Sequence, residues 1–252
     1  MPSPSFDFAN LLFAGPCNAR CPACIGRQLD PRLSLGNLEE YPPRNLDAWL
    51  ALIWRHAIRQ VAFTGTTTDP QMYRHEERLL AELRARLPAG TQFSLHTNGR
   101  LARRKWAVFN QYDRVCLSLP SFEPATYRRM MGVPQPPDLA RLLAAARVPL
   151  KVSCLVDEPN GAEIPAYLRR CAALGLKRLA LRKLYGERRR WQELLDWPAL
   201  ELQPCGEYRG NPVYTHQGLE VTLWDFEQSQ STAINLFSSG LISSEYLLAR
   251  AG

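Results

Sequence analysis

Six short apolar segments, each ending in a turn and interleaved with helical stretches, recur along the chain and restrict it to a parallel α/β architecture. The segments are Phe6–Phe13, Gln60–Phe63, Gln92–Thr97, Arg114–Leu119, Leu150–Val156 and Arg178–Leu184. Between them, apolar residues return at helical spacing, as in Leu46, Leu50, Ile53, Trp54 and Ala57, or Tyr73, Leu79, Leu80, Leu83 and Leu87. Strands separated by helices pair in parallel, through crossovers that are nearly always right-handed. The pattern predicts a partial (β/α)6 barrel, TIM-like, over residues 1–205, followed by a short C-terminal hairpin and helical extension over 206–252. In such a fold the functional residues gather at the C-terminal ends of the strands.

The first strand end carries the strongest chemical signal. Cys17, Cys21 and Cys24 fall within eight residues, spaced C-x3-C-x2-C, directly after Gly15 and Pro16 turn the chain out of the strand. Three thiolates on one tight loop suit three corners of an iron–sulfur cube, and most cubanes take a fourth cysteine. None is nearby in sequence, which leaves one iron for a non-protein ligand. The competing reading is a non-catalytic zinc or iron–sulfur protein, with Cys205 as the fourth ligand.

This arrangement resembles the radical S-adenosylmethionine (radical SAM) superfamily, whose signature is C-x3-C-x2-C on the loop after the first strand. The resemblance implies a [4Fe-4S] cluster on Cys17, Cys21 and Cys24, with S-adenosylmethionine on the open iron. It also implies reductive cleavage to a 5′-deoxyadenosyl radical that abstracts hydrogen from a substrate. The Gly-Gly-Glu-Pro motif of that family is matched in part: Thr64-Gly65 and Asp69-Pro70 stand as its flanks, with Thr66, Thr67 and Thr68 in place of the glycine pair. Asp69 would then accept from the cofactor's ammonium; the plainer role is a cap on the next helix.

Three further strand ends are similar to the MoaA-like branch of the superfamily. They are Thr97-Asn98-Gly99, Ser118-Leu119-Pro120-Ser121 leading towards Arg128 and Gly132, and Asn160-Gly161-Ala162-Glu163-Ile164. By this resemblance Gly65, Thr66, Thr67, Thr68, Asp69, Thr97, Asn98 and Ser118 shape the cofactor site. The chain departs from the branch in three respects. Pro120 replaces an acid, Ala23 stands where many members place an aromatic residue, and there is no second cysteine set. A single cluster is therefore expected. His96 reads as a packed histidine rather than an acid/base facing the barrel interior, and Cys116 as a small buried hydrophobe.

Lys151 and Ser153 share one face of the fifth strand. A lysine turned into a barrel needs an anion, or else it lies near the bottom and snorkels outward. Lys151 and Arg182 are the candidate substrate contacts, and Arg188–Arg190 reads as a solvated loop. The formal charge is +7, from 31 basic and 24 acidic residues. This excess fits an anionic substrate or simply an arginine-rich composition. The expected substrate is a small phosphorylated or nucleotide-like metabolite, with RNA or a peptide as alternatives; no RNA-binding motif accompanies the basic helices. A flavodoxin or ferredoxin would supply the electron.

No apolar run approaches the length of a membrane helix, and Met1–Ser5 lacks the marks of a signal peptide. Seven cysteines, three of them clustered, fit a reducing compartment. A soluble cytoplasmic protein with no membrane partner is expected. Gly26–Asn45 is read as a lid or a surface crossover, Val213–Trp224 as a hairpin about Gln217-Gly218, and Ser231–Ala249 as a cover for the open side of the barrel.

Overall fold

A computed structural model describes residues 6–246; Met1–Ser5 and the last six positions, including the end of the expected cover, lie outside the described residues. The chain forms two compact units, one comprising residues 6–18, 24–115 and 231–246, the other 19–23 and 116–230. The fold is mixed α/β, with mostly parallel strands alternating with helices and a hairpin towards the C-terminus.

In the first unit, β1 (Phe8–Phe13), α1 (Leu46–Arg55), β2 (Gln60–Gly65), α2 (Glu76–Arg86), β3 (Gln92–Thr97) and α3 (Trp106–Phe109) follow in order. β1 pairs in parallel with β2, and β2 with β3. Phe13 lies opposite Gly65, which brings the ends of the first two strands level. The ring centroid of Phe13 lies 4.7 Å from that of Tyr73 and 5.8 Å from that of Phe63, and Trp49 and Ile53 of α1 are wholly buried. Burying each such side chain is worth about 1.5–3 kcal/mol.

β4 (Arg114–Ser118) runs from one unit into the other. The second unit continues with α4 (Pro124–Met131), α5 (Leu139–Ala145), β5 (Leu150–Leu155), α6 (Ile164–Ala173), β6 (Arg178–Arg182) and α7 (Trp191–Leu194). It closes with β7 (Gln203–Tyr208), β8 (Asn211–His216) and β9 (Leu219–Trp224). β5 pairs in parallel with β6, and β6 with β9, so the expected hairpin supplies another parallel strand as well as the turn at Gln217-Gly218. Both turn residues have positive φ, 49° and 81°, as a tight hairpin demands.

Ser231–Ala249 was expected to cover the barrel. Its described part forms β10 (Ala233–Leu236), parallel to β1, and β11 (Ile242–Ser243), antiparallel to β10. The physical reason is an unpaired edge on β1, whose backbone groups need partners. Asn10 reinforces the pairing by donating to Asn235 Oδ1 at 2.8 Å.

Candidate active site

The cysteine loop is built on the ends of β1 and β2. Thr66 donates its backbone N–H and its hydroxyl to Phe13 O, at 2.8 and 3.0 Å. Gly15 N donates to Thr67 Oγ1 at 3.1 Å, and Thr68 Oγ1 donates to Pro16 O at 2.5 Å. All three threonine hydroxyls therefore engage the backbone that leads into Cys17. Gly65 closes the turn before them, since a Cβ there would stand 1.6 Å from Thr68 O. From the other side Asn37, almost wholly buried, accepts from Ala14 N at 3.0 Å, so the Gly26–Asn45 segment is pinned to the same strand end.

Cys17, Cys21 and Cys24 are half-buried thiols outside any disulfide. In the first unit, Cys17 Sγ lies 3.8 Å from Asn18 Oδ1, and Cys24 Sγ donates to Thr66 O at 3.5 Å. In the second, Cys21 Sγ lies 3.6 Å from Met131 Sδ, and Arg20 N donates to Met131 O at 2.9 Å. α4 ends there on Gly132, with φ 67° and room for no side chain, because a Cβ would stand 2.5 Å from Arg20 O. Among the described residues no three His, Cys, Asp or Glu side chains are grouped around a single metal ion. The donor set nevertheless fits a cube, in which each thiolate takes a different iron and soft sulfur ligands are required. Cys205 is exposed on β7.

Asp69 organises the ends of β2 and β3. Its carboxylate accepts from Gln71 N (2.9 Å), Asn98 N (2.7 Å) and Thr97 Oγ1 (2.8 Å). Asp69 is 4% exposed, and burial pushes its pKa above the usual carboxylate range against the pull of these donors. It caps the short turn Pro70–Met72 and also bridges two strand ends. Asn98 Nδ2 donates to Asn18 Oδ1 at 2.7 Å, which joins this bracket to the cysteine loop. Two donors in the bracket, Gln71 Nε2 and Asn18 Nδ2, are buried with no partner among the described residues. Sequence reasoning missed both; an asparagine beside a candidate iron ligand was the available signal. His96, read as packed, is exposed on β3.

In the second unit Ser118 is the last residue of β4 and half-buried. Asn160 ties the ends of β4 and β5 together by donating to Pro120 O at 2.7 Å and Leu155 O at 2.8 Å. Glu163 accepts from Ser121 Oγ at 2.5 Å and from the Thr126 hydroxyl. Lys151 lies second in β5, opposite Arg178, whereas Arg182 ends β6 opposite Leu155. Their α-carbons are thus separated by about four residues, or about 13 Å along the strands, although the charges still bear on one another. Burial, with Arg178 and Arg182 adding to it, lowers the pKa of Lys151. Burial raises that of Cys116, against the opposing charges of Lys151 and Arg182. Arg182 also stacks 4.9 Å over the Phe226 ring.

The family model of the radical SAM superfamily matches residues 12–156, more than half of the chain. The chain belongs to the radical SAM superfamily. Membership makes it an enzyme of that class and implies a [4Fe-4S] cluster and S-adenosylmethionine. No curated protein is similar enough in sequence to count as a match. Among solved structures, Streptococcus suis SuiB bound to S-adenosylmethionine is similar over 77% of this chain and 44% of its own, at 13% identity and TM-score 0.56. Native anSMEcpe with bound AdoMet is similar over 77% and 58%, at 19% identity and TM-score 0.54. These likenesses bear on the fold, and the chain spans only about half the length of either protein. Among the described residues no helix is long and apolar enough to cross a membrane.

Proposed function

We propose that this radical SAM enzyme is a single-cluster member of the MoaA-like branch that abstracts hydrogen from a small anionic metabolite, phosphorylated or nucleotide-like. Cys17, Cys21 and Cys24 would hold the cluster. Gly65, Thr66–Thr68 and Asp69 frame the S-adenosylmethionine site together with Thr97, Asn98 and Ser118. When bound, the cofactor pair supplies a carbon-centred radical after one-electron reduction. The protein's share is to hold the strand ends rigid through Asp69, orient the cofactor and admit the substrate. A small electron donor such as a flavodoxin or ferredoxin fits this scheme, as does a reducing cytoplasm, given seven cysteines that form no disulfide.

The anionic substrate rests on Lys151. It lies half-buried on the face of β5 opposite Cys154, with no ion pair among the described residues, and a desolvated cation gains from an anion. Arg182, nearer the strand ends, would take the same ligand's outer group. A peptide substrate is the second reading. β7 is an edge strand exposed along its whole length, which suits strand addition; one solved structure similar in fold is SuiB bound to precursor peptide SuiA.

The test is anaerobic reconstitution, followed by assay of S-adenosylmethionine and dithionite for 5′-deoxyadenosine, with Cys21→Ala as control. Turnover that rises with phosphorylated metabolites and weakens in Lys151→Met supports the proposal. Turnover that rises only with peptides replaces the substrate. Zinc bound through Cys205, with no cleavage, overturns the assignment of cluster and cofactor.

A further inference from the structure

We propose that Asn18 donates a side-chain N–H···S hydrogen bond to the iron–sulfur cluster of its own loop, and that Asn98 fixes it in the orientation to do so. This rests on the cofactor assignment above. The orientation follows from a chain of donors and acceptors. Arg100 N donates to Asn98 Oδ1 at 3.1 Å, so Asn98 must present its amide nitrogen at the other corner. That nitrogen donates to Asn18 Oδ1 at 2.7 Å, which leaves Asn18 Nδ2 on the far side. Asn98 is itself held at the end of β3, because its backbone N–H donates to Asp69 Oδ2 at 2.7 Å. A flip of the Asn18 amide would set two NH2 groups against each other.

Asn18 Nδ2 is therefore a buried donor, aimed by its neighbours and without an acceptor among the described residues. Native structures rarely leave such a group unsatisfied, and an exception calls for a partner such as a ligand, an ion or a bound water. The acceptor favoured here is sulfur. Asn18 directly follows Cys17, whose thiol lies 3.8 Å from Asn18 Oδ1; the cube's thiolates and sulfides carry only acceptor lone pairs, so a sulfur of the cube on the Nδ2 side is the partner this donor would take. A hydrogen bond to cluster sulfur stabilises the reduced, more negative form and raises the reduction potential. Asn18 is thus a positioning and tuning residue. The Asp69 bracket then has a second purpose, since it sets the direction of a donor one residue from an iron ligand.

The experiment compares wild type, Asn18→Ala and Asn98→Ala after anaerobic reconstitution. Iron and sulfide are counted, and the potential is titrated by electron paramagnetic resonance without S-adenosylmethionine. Affinity for that cofactor is measured separately. The expected result is full iron with a more negative potential in Asn18→Ala. At a fixed poise the reduced-to-oxidised ratio falls about tenfold, equivalent to about 59 mV for a one-electron couple. Asn98→Ala, which frees the Asn18 amide to turn, shifts the potential in the same direction by less. If Asn18→Ala fails to hold iron, the shift in Asn98→Ala decides the matter. Full iron and unchanged potentials overturn the inference, and a loss confined to cofactor affinity reassigns the donor to the S-adenosylmethionine carboxylate. Wild-type protein that takes up no iron removes the cofactor assignment and this inference together.

Discussion

At the ends of β2 and β3 the polar groups are largely spent on one another, whereas on β5 the cation Lys151 is left without an acid among the described residues. Asp69 is satisfied by Gln71, Thr97 and Asn98, and the threonines after Gly65 by the backbone of the cysteine loop. The burial of Lys151 is offset in part by Cys116 and Tyr208, whereas Arg178 and Arg182 add positive charge to it. A region whose hydrogen bonds are nearly complete, with Gln71 Nε2 and Asn18 Nδ2 the donors left over, is stiff before any ligand arrives and suits a cofactor that must be held in one pose. A region carrying an uncompensated charge is less stable alone and gains most on binding. Under the proposed function, the contrast sets a cofactor platform against a substrate face.

The severest way to break it is at the thiols. Cys17→Ala, Cys21→Ala or Cys24→Ala is expected to remove nearly all cluster iron and all S-adenosylmethionine cleavage, read by iron assay and product chromatography. The fold should persist, because these side chains are only half-buried. Asp69→Ala comes next. It strands three buried donors and should cost about 3 kcal/mol in urea denaturation. A loss below about 1 kcal/mol would show that the bracket is not rigid.

Gly132→Ala is expected to cost about 1–3 kcal/mol through left-handed strain and the clash with Arg20 O. It should also lower iron retention at Cys21, which packs on the same turn. Lys151→Met carries the smallest stability effect, about 1 kcal/mol of stabilisation near neutral pH, because it removes a desolvated charge. The sign of its pH dependence follows from the depressed pKa. Between the folded value and the higher unfolded one, the unfolded chain binds more protons, so wild-type stability rises with pH across that window. Lys151→Met should lack this rise, and its affinity for an anionic substrate should fall. Parallel pH profiles for the two proteins would erase the distinction between the regions.

Much of the frame was legible because β1 to β6 repeat one device, an apolar run closed by a turn. β3 runs over Gln92–Thr97 as expected, and β5 over Leu150–Leu155. β7 was not legible: Gln203-Pro204-Cys205-Gly206-Glu207-Tyr208 has no buried face and carries two strand-weakening residues. β10 was hidden by its four-residue length and by a partner far away in the sequence. The basic stretch Leu101–Gln111 reads as a helix, yet only Trp106–Phe109 is helical, because turns occupy the residues before it. In the site, the motif spacing marked the cysteines, but a threonine's composition does not say which carbonyl its hydroxyl will find. The partners of Thr66, Thr67 and Thr68 emerged only when β1 and β2 were level.

The pairing of β10 with β1 imposes a timetable on biosynthesis. Asn10 and Asn235, which clasp the two strands, are separated by 225 positions. At synthesis rates of about 5–20 residues per second, the outer edge of β1 waits roughly 11–45 s for its neighbour to be made. During that interval the strand that leads into Cys17 has an open flank, vulnerable to strand exchange with another nascent chain. Iron delivered early would meet a loop whose supporting strand is closed on one side only. Cluster insertion is therefore best matched to the finished polypeptide, and slowing translation between β9 and β10 should lower the yield of loaded enzyme without altering its sequence.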